Sequence, residues 1–362
     1  MRAARTLALL LATALSACAT TTAADDVDSA WRPGYLWQSV AGHLRMLGAA
    51  RPVDEVLADP ATPDDIRQRL ELSRALRDYA SRVLALPDNA SYRRYADLGR
   101  PAAVWNVVAA PELSLQLKTW CFPVLGCVGY RGYFDKAEAE QLAAALRAQG
   151  WEASVYGVPA YSTLGRLPGS VFADPLLNTF LRGAEIDLVR LVFHELAHQV
   201  AYADGDTTFN ESYATAVERI GSRQWLAQGG REAQITATDA LDRRRAEFRA
   251  MTMRARDRLD ALYRSAAPDE EKRREKARLL AGLHTEYLRW RDGSWGGDRA
   301  YDAWFDSVNN ARLGVLAAYN AQVPAFERLF ERVGQDWPRF HAEVYRLAAL
   351  TKVERDAALA QP

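Results

Sequence analysis

The sequence predicts an α+β fold that is mostly α, with a small twisted β-sheet packed on a helical core and a long helical hairpin. Three observations lead to this prediction. Apolar residues recur every three to four positions through most of residues 31–100 and again from residue 174, which is the period of amphipathic helices. Short β-branched and aromatic runs, separated by Pro and Gly, replace that pattern over residues 101–165. Two long charged helical segments then follow each other between residues 235 and 292.

The composition is that of an ordinary globular protein. The 362 residues are 49% hydrophobic and 25% charged, and Lys plus Arg balance Asp plus Glu at 46 each. A neutral chain without a basic tract lacks the electrostatic footprint of a nucleic-acid binder, so we expect no nucleic-acid partner. The length allows one large domain with an ample core, and we predict a single domain over residues 31–355.

The first residues predict a secretory signal. Arg2 and Arg5 precede an apolar run over residues 7–15 and then small residues, which is the three-part layout of a signal peptide. The apolar run is too short to cross a bilayer as a permanent helix. We therefore predict that residues 1–17 are a signal peptide.

This signal ends in "LSAC", whose last residue is Cys18, and the stretch resembles the lipobox of bacterial lipoproteins. The resemblance implies a lipid on Cys18 as the first mature residue, with an ordinary signal peptide and an incidental cysteine as the alternative. Ala19 follows rather than Asp, which favours the outer membrane over retention at the inner membrane. Residues 18–30 have the composition of a polar tether. We predict a chain anchored to the outer membrane and facing the periplasm.

The other two cysteines lie six positions apart in "WCFPVLGCVGY", where Pro123 and Gly126 can bend the chain between them. In an oxidising periplasm this spacing predicts a disulfide between Cys121 and Cys127. A two-thiol metal site is the alternative, but no further cysteine or nearby histidine completes one.

The elements follow in a simple order along the chain. Residues 30–98 form helices punctuated by Pro60, Pro63 and Pro87. Strands are predicted in "VWNVVAA", "LSLQLKTWCF", "GYRGYF" and "EASVYGV", with one helix ending at Gly150 lying across them.

Helices return after the sheet. Residues 174–181 enter a helix through an Asp-Pro pair, and the next helix carries "HELAH" and stops at Gly205. Asp206 or Thr207 caps the following helix. The long hairpin turns at residues 266–271, and two more helices, over residues 299–319 and 323–353, close the chain.

The chemistry is concentrated in "HELAH". His194 and His198 are four residues apart, so a helix places both imidazoles on one face, where they can share one Zn²⁺ ion. Glu195 is rotated by about 100° from His194, so it is poorly placed as a ligand but can reach a water on the metal. This is the H-E-x-x-H arrangement of two ligands and a general base. Zinc lowers the pKa of that water towards about 7, and the glutamate passes its proton to the leaving amine.

A third ligand is expected on the next helix. Glu211 would face the histidines if Gly205 reverses the chain and the two helices pack antiparallel, with small Ala214 and Thr215 allowing close approach. Asp204 is a rival. A ligand there needs a sharp turn after the second histidine, yet residues 199–203 read as continuing helix and carry no glycine. We favour Glu211.

"HELAH" followed by "NESYA" resembles the gluzincin metallopeptidases, which include thermolysin and the large zinc aminopeptidases. The resemblance implies a zincin-like helical core and one Zn²⁺ held by His194, His198 and Glu211, with Glu195 as the base and Asn210 as a structural neighbour. Only twelve residues separate His198 from Glu211, fewer than in thermolysin-like enzymes, so the connection between the two helices must be minimal.

A closer resemblance covers most of the chain. The blocks "WCFPVLGCVGYRGYF", "AYSTLGR", "DPLLNTF", "FHELAHQVAYADGDTTFNESYA" and "VPAF" are similar to a family of predicted bacterial aminopeptidases that are often lipoproteins. This resemblance implies peptide substrates and aminopeptidase activity.

Gluzincins bind the substrate backbone along an edge strand upstream of the zinc helix. Residues 155–165 occupy that place in the sequence, and a plain sheet strand with a polar turn is the alternative. Large aminopeptidases hold the free α-amine with a glutamate on or near this strand, and residues 155–165 contain none.

The oxyanion formed during hydrolysis needs a donor in addition to zinc, commonly Tyr or His in this class. We choose Tyr319, with Tyr161 and His341 as rivals. Two further candidates for the cleft are the pair Asn309 and Asn310 and the cation Arg312, although a helix cap and a surface ion pair explain them nearly as well.

We therefore predict a zinc-dependent peptide hydrolase, an aminopeptidase, in the cell envelope. An endopeptidase or a hydrolase of peptidoglycan stem peptides is the enzymatic alternative. A non-catalytic envelope binding protein with structural zinc is the alternative from another class. Glu195 favours an enzyme, because a structural site needs no base beside its ligands.

Overall fold

The computed structural model of the protein describes residues 33–122, 126–160, 173–316 and 322–360. Helices dominate these residues and the sheets are small, so the α+β, mostly α prediction is confirmed. The helices are α1 (Pro33–Gly48), α2 (Val53–Ala58), α3 (Asp64–Arg82), α4 (Lys136–Ala148), α5 (Asn178–Leu181), α6 (Glu185–His198), α7 (Thr207–Gln228), α8 (Glu232–Arg264), α9 (Asp269–Asp292), α10 (Asp302–Asp306), α11 (Asn310–Val315), α12 (Val323–Arg332), α13 (Trp337–Ala348) and α14 (Lys352–Leu359). The strands are β1 (Arg51–Pro52), β2 (Arg94–Ala96), β3 (Val104–Pro111), β4 (Trp120–Phe122), β5 (Gly126–Val128), β6 (Arg131–Tyr133), β7 (Trp151–Val158) and β8 (Leu176–Leu177). The predicted signal peptide, residues 1–17, and tether, residues 18–30, lie outside the described residues.

The predicted small sheet is an antiparallel one with strand order β6-β3-β7. Its long β3–β7 pair places Val104 opposite Val158 at one end and Pro111 opposite Trp151 at the other. Helix α4 packs across this sheet in a shared hydrophobic cluster. Strand β7 lies at an edge of the sheet, the position that a strand needs to pair with a substrate backbone.

The short β4–β5 hairpin carries the two remaining cysteines. Cys121 lies opposite Cys127 in the strand register, and the two are joined by a disulfide. The predicted bond is therefore confirmed, and the two-thiol metal site is excluded.

Helices α6 and α7 lie in the largest hydrophobic cluster, together with side chains from α3, α12 and α13. They pack antiparallel, because His198 lies beside Glu211 while Phe193 lies beside Gly221, ten residues further along α7. A Cβ atom at Gly221 would come within 2.8 Å of the Leu84 side chain and 3.1 Å of the Phe193 ring. Glycine at this position therefore allows the close approach of the two helices.

Helices α8 and α9 form the predicted long hairpin, with Ser265 and Pro268 flanking its turn. The hairpin covers a separate cluster rich in aromatic rings. Lys276 of α9 links the hairpin to the sheet through an ion pair with Glu152 of β7 and a hydrogen bond to the Glu112 carbonyl oxygen at 2.7 Å.

Helix α6 is shorter than the sequence predicts, because it ends at His198 and does not continue to Gly205. The buried side chain of Asn210 explains the early end. Its Oδ1 accepts from the Ala203 N–H at 2.7 Å and its Nδ2 donates to the Ala203 carbonyl oxygen at 2.8 Å. An amide from the following helix thus takes both polar groups that Ala203 would otherwise use in a helix. Gly205, at φ +76°, then reverses the chain.

The helix predicted over residues 174–181 begins only at Asn178. Leu176 and Leu177 instead form β8, which pairs in parallel with Tyr95 and Ala96 of β2. A two-residue strand has no detectable period, so local sequence could not distinguish it from the first turn of a helix.

Where two C-terminal helices were predicted, the described residues from 302 to 359 form five shorter ones. Asn309 caps α11 by accepting from the Arg312 N–H at 3.0 Å, which divides the first. Gly334, at φ +79°, and the capping residues Asp336 and Thr351 divide the second. Helix α14 runs to Leu359, past the predicted boundary at residue 355. Within the described ranges, no helix combines the length and the apolarity that a membrane span requires.

Asp206 joins the start of α7 to α14. Its carboxylate accepts from the Phe209 N–H at 3.1 Å, as predicted for a cap, and pairs with the buried Arg355 at 3.0 Å and with Lys352 at 3.2 Å. Burial favours the neutral form of Asp206, but the backbone hydrogen bond and the two cations outweigh it and lower the pKa of the carboxyl below its usual value.

We expect Asp206→Asn to lower the free energy of unfolding by about 3 kcal/mol at pH 7, because Arg355 stays buried without its anion while the cap is kept. A lowered folded pKa means that this stabilisation is present above the unfolded value of about 3.9 and is lost as the pH falls through the folded pKa. Urea denaturation should therefore show a larger difference in stability between the wild type and Asp206→Asn at pH 7 than at pH 3. Lys352→Gln, which removes the exposed cation that pairs with Asp206, should lower the free energy of unfolding by about 1 kcal/mol or less. Equal effects of Asp206→Asn at both pH values would contradict this account.

Candidate metal centre

Three of the predicted site residues converge where α6 and α7 cross. His194 and His198 lie one turn apart on α6, and their Nε2 atoms are 3.2 Å from each other. Glu211, in the second turn of α7, places one carboxylate oxygen 3.4 Å from the His194 Nε2 and the other 3.6 Å from the His198 Nε2. The ligand atoms of all three residues lie within 4.8 Å of one another.

These separations fit a small divalent ion. Ligand atoms bonded to Zn²⁺ at about 2.0–2.1 Å in a tetrahedron lie about 3.3 Å apart. The two Nε2 atoms are 3.2 Å apart, and each has a Glu211 oxygen nearby, one at 3.4 Å and the other at 3.6 Å, so the three side chains approach that spacing. Two imidazoles and one carboxylate are also a donor set that zinc accepts. His194, His198 and Glu211 are thus the residues that would hold a metal ion. Asp204, the rival ligand, is exposed and is not part of the cluster.

Electrostatics at the cluster favour a cation. Burial, together with the positive charge of His194, lowers the pKa of His198 to about 4. Burial also disfavours protonation of His194, but hydrogen bonds with Glu211 and Glu218 outweigh it and raise the pKa of that imidazole well above its usual value. Burial alone would raise the pKa of the Glu211 carboxyl. The hydrogen bond with His194 and the positive charge of His194 outweigh burial and lower this pKa. The carboxylates thus draw one positive charge to the space that the imidazoles share.

Glu218 is a part of the site that the sequence interpretation missed. Its Oε2 lies 2.9 Å from the His194 Nδ1, so this nitrogen carries the proton and donates to the carboxylate. The His194 Nε2, which faces Glu211 and His198, is then the nitrogen that would bind a metal ion. A carboxylate behind a ligating histidine fixes the ring and strengthens it as a ligand. The seven-residue spacing from Glu211 was the available signal, because it repeats the same helix face after two turns.

Glu195, the predicted base, is half-buried on α6 beside His194. Its negative charge is one of the causes that raise the pKa of His194, so the carboxylate lies within electrostatic reach of the cluster. The sequence placed Glu195 about 100° around the helix from His194, and the regular helix through both residues keeps that arrangement.

The other predicted candidates lie elsewhere. Tyr319 and Tyr161 fall outside the described residues, as does the end of the proposed substrate strand, residues 161–165. His341 is buried in the core, where its Nε2 donates to the Leu84 carbonyl oxygen at 2.7 Å and its Nδ1 accepts from the Tyr213 hydroxyl at 2.8 Å. With both nitrogens engaged, His341 acts as a core histidine.

Asn309, Asn310 and Arg312 lie at the junction of the sheet and the hairpin. Asn309 caps α11, and its side chain bonds to Ser154 at 3.0 Å. The buried Asn310 amide donates to the carbonyl oxygens of Pro111 and Glu112. For Asn309 the helix-cap alternative is the correct one, and the Asn310 amide is used in holding the end of β3.

A cleft of about 1210 Å³ opens beside the cluster. His194, Glu211 and Glu218 lie on its wall, and α7, α8 and α12 supply most of the rest. This volume exceeds what a drug-sized ligand needs, so the cleft has room for several residues of a peptide.

Two imidazoles and one carboxylate converge from adjacent antiparallel helices of an α+β fold. This arrangement is typical of proteins that bind one divalent metal ion at such a site. The family is more specific than this class. A family model described as "Putative aminopeptidase" matches residues 34–359, and the chain belongs to this family. The match confirms the family resemblance found in the sequence blocks and supports a peptidase-like function. No curated protein and no solved structure matches the chain.

Proposed function

We propose that the protein is a zinc-dependent peptide hydrolase that acts as an aminopeptidase. The observation that carries the proposal is the His194, His198 and Glu211 cluster, whose ligand atoms lie within 4.8 Å of one another, in a chain of this family. A bound Zn²⁺ ion would supply Lewis-acid chemistry, polarising the scissile carbonyl and making water more acidic.

The residues of the chain have separate tasks in this proposal. Glu195 accepts the proton of the attacking water and delivers it to the departing amine nitrogen, so that the peptide bond breaks with its charges balanced. Glu218 holds His194 in one tautomer through the hydrogen bond at 2.9 Å. Asn210 fixes the turn between the two helices and thereby the position of its neighbour Glu211.

The oxyanion donor stays a proposal from the sequence. Tyr319 is our choice, with Tyr161 as the rival, and the core hydrogen bonds of His341 remove it from consideration. Tyr319→Phe should lower kcat by about 10²–10³-fold with a small effect on KM, because the hydroxyl acts on charge that develops in the transition state. An unchanged kcat would exclude this role.

The activity is tested with paired peptides. Zinc-loaded protein purified in detergent should release the first residue of a free-amine peptide about 100-fold or more faster than it cleaves the same peptide with an acetylated N-terminus. A site that hydrogen-bonds the free amine is left with unpaired polar groups when the acetylated peptide binds. Comparable cleavage of both peptides would instead indicate an endopeptidase. Zinc-loaded protein that cleaves neither, across a varied peptide set, would favour a structural metal site.

We also propose that the protein is attached to the outer membrane through a lipid on Cys18 and faces the periplasm. The "LSAC" stretch after a short apolar run supports this location. Mass spectrometry of the mature N-terminus should find acylated Cys18 as the first residue. A mature chain that begins elsewhere, or an unmodified Cys18, would contradict the proposed anchor.

A further inference from the structure

Arg190 is a buried cation next to the candidate metal centre. It precedes His194 by one helical turn, lines the same cleft and is only 3% exposed. Its Nη2 donates to Asp242 at 2.7 Å, but its Nε and Nη1 have no hydrogen-bond partner among the residues that the structure describes. Buried donors normally find acceptors, because a donor left without one loses the hydrogen bonds that water would give it. Arg190 therefore has unused capacity for an anion.

Arg249 of α8 is a second cation on the wall of this cleft. It is half-buried, and no ion pair or side-chain hydrogen bond joins it to another described residue. Burial lowers the pKa of the Arg249 guanidinium, and the positive charges of Arg219 and Arg245 lower it further against the opposing effects of Tyr301 and Asp242. Asp242 offsets only part of this crowding of like charges, because the pKa of Arg249 stays lowered, so a further anion among the cations would be favourable.

The positive excess is local to the cleft. Beyond the site residues themselves, its wall carries seven arginines and four carboxylates, whereas basic and acidic residues balance in the whole chain. Anionic ligands would therefore be attracted to this face.

We propose that Arg190 and Arg249 form a subsite for a carboxylate of the substrate, an inference that rests on the proposed peptidase function. The four-residue offset from Arg190 to His194 is about 6 Å along the helix axis, which corresponds to one or two residues of an extended peptide. The carboxylate is therefore close to the scissile bond. It is either the C-terminus of a very short peptide or the side chain of an Asp or Glu that follows the cleaved bond.

Binding measurements separate these two sources without requiring cleavage. In the Glu195→Gln background, calorimetry would compare four ligands: Leu-Ala, Leu-Ala amide, Leu-Glu amide and Leu-Gln amide. A C-terminal subsite predicts that Leu-Ala binds about 10–100-fold tighter than its amide, and a side-chain subsite predicts the same ratio for Leu-Glu amide over Leu-Gln amide. Arg249→Gln should remove the preference and leave the neutral ligands within about threefold.

Arg223→Gln is the matched control, because Arg223 lies on the same cleft but is exposed and paired with Asp239 at 3.2 Å. It should leave all four affinities within about threefold. Equal affinities for the charged and neutral ligands, or an equal loss for both in Arg249→Gln, would overturn the subsite. Selective binding without any peptide hydrolysis by the zinc-loaded wild type would contradict the proposed function alone.

A second, independent observation concerns α1. Leu36, Trp37, Val40 and Leu44 are 37%, 73%, 55% and 54% exposed, and they fall within an arc of about 100° on the helix. They are four of the nine exposed large hydrophobic side chains among the described residues. The opposite face is anchored to the domain, where Gln38 accepts from the Phe134 N–H at 3.1 Å. The exposed stripe is therefore held in one fixed orientation.

We infer that this stripe rests on the surface of the bilayer to which Cys18 is attached, an inference that depends on the proposed lipid anchor. Fourteen residues separate Cys18 from Pro33, a span of at most roughly 50 Å, so α1 is the first described element to meet the membrane. An apolar helical face with Trp and Leu suits the interface between lipid headgroups and acyl chains.

Fluorescence quenching tests this orientation. Acylated full-length protein would be reconstituted into vesicles of phosphatidylethanolamine and phosphatidylglycerol with brominated acyl chains. In a Trp31→Phe background we expect quenching, its loss when Trp37→Phe is added, and its retention when Trp290→Phe, on α9, is added instead. Protein that floats with the vesicles but shows equal quenching in Trp37→Phe would overturn the docking of α1. Concentration-dependent dimers without quenching would assign the stripe to a second copy, and protein that does not float would contradict the anchor itself.

Discussion

Glu195→Gln is expected to reduce kcat/KM for peptide hydrolysis by about 10²–10⁴-fold, the range that a positioned general base contributes. The amide keeps the size of the side chain but cannot accept the proton of the attacking water. Because Glu195 is not one of the three clustered ligands, the variant should bind zinc with wild-type stoichiometry. Steady-state kinetics and elemental analysis of the same preparation measure both quantities.

Glu185→Gln is a matched control for this prediction, since Glu185 lies on the same helix and pairs with Arg231, away from the cluster. It should hydrolyse peptides within about threefold of the wild type and keep its zinc. If Glu195→Gln retains both zinc and full activity, the proposed proton transfer is wrong.

Glu211→Gln should lose stoichiometric zinc on dialysis and, with it, all measurable hydrolysis. The carboxylate is the one anionic ligand, and it bridges the two imidazoles at 3.4 and 3.6 Å. Without it the ion would have two neutral nitrogen ligands and no anionic one. Competition with a chromogenic chelator would measure the affinity.

Glu218→Gln provides a graded comparison on the same helix. It keeps all three ligands and removes only the carboxylate that orients His194, so zinc affinity should fall by about 10–100-fold. Excess zinc should restore most of its activity, whereas Glu211→Gln should not recover. Wild-type zinc affinity in Glu211→Gln would remove that residue from the metal site.

Spacing within one helix was the most reliable guide to the site. His194 and His198 were predictable because a four-residue step fixes two side chains on one face. Glu211 was predictable because a glycine reversal leaves a following helix few places to lie. Glu218 was missed because its contact with His194 depends on how far α7 slides along α6, and close packing at Gly221 sets that register.

The errors in the fold prediction share one cause, namely contacts with residues that are distant in sequence. The helix through His198 stops early because the Asn210 amide binds Ala203, and residues 199–203 show no local break. Leu176 and Leu177 join β2 because of strand pairing across 80 positions of sequence. The α8–α9 hairpin was predicted well because its period repeats over many turns and its termini carry clear turn residues.

Whether a zinc ion binds at the α6–α7 crossing decides the whole account. Anomalous diffraction at the zinc absorption edge, from crystals grown with zinc, would locate it directly. We predict a single strong peak within about 2.0–2.2 Å of the His194 Nε2, the His198 Nε2 and a Glu211 carboxylate oxygen. No peak there, or a peak held by other residues, would contradict the proposed metal centre.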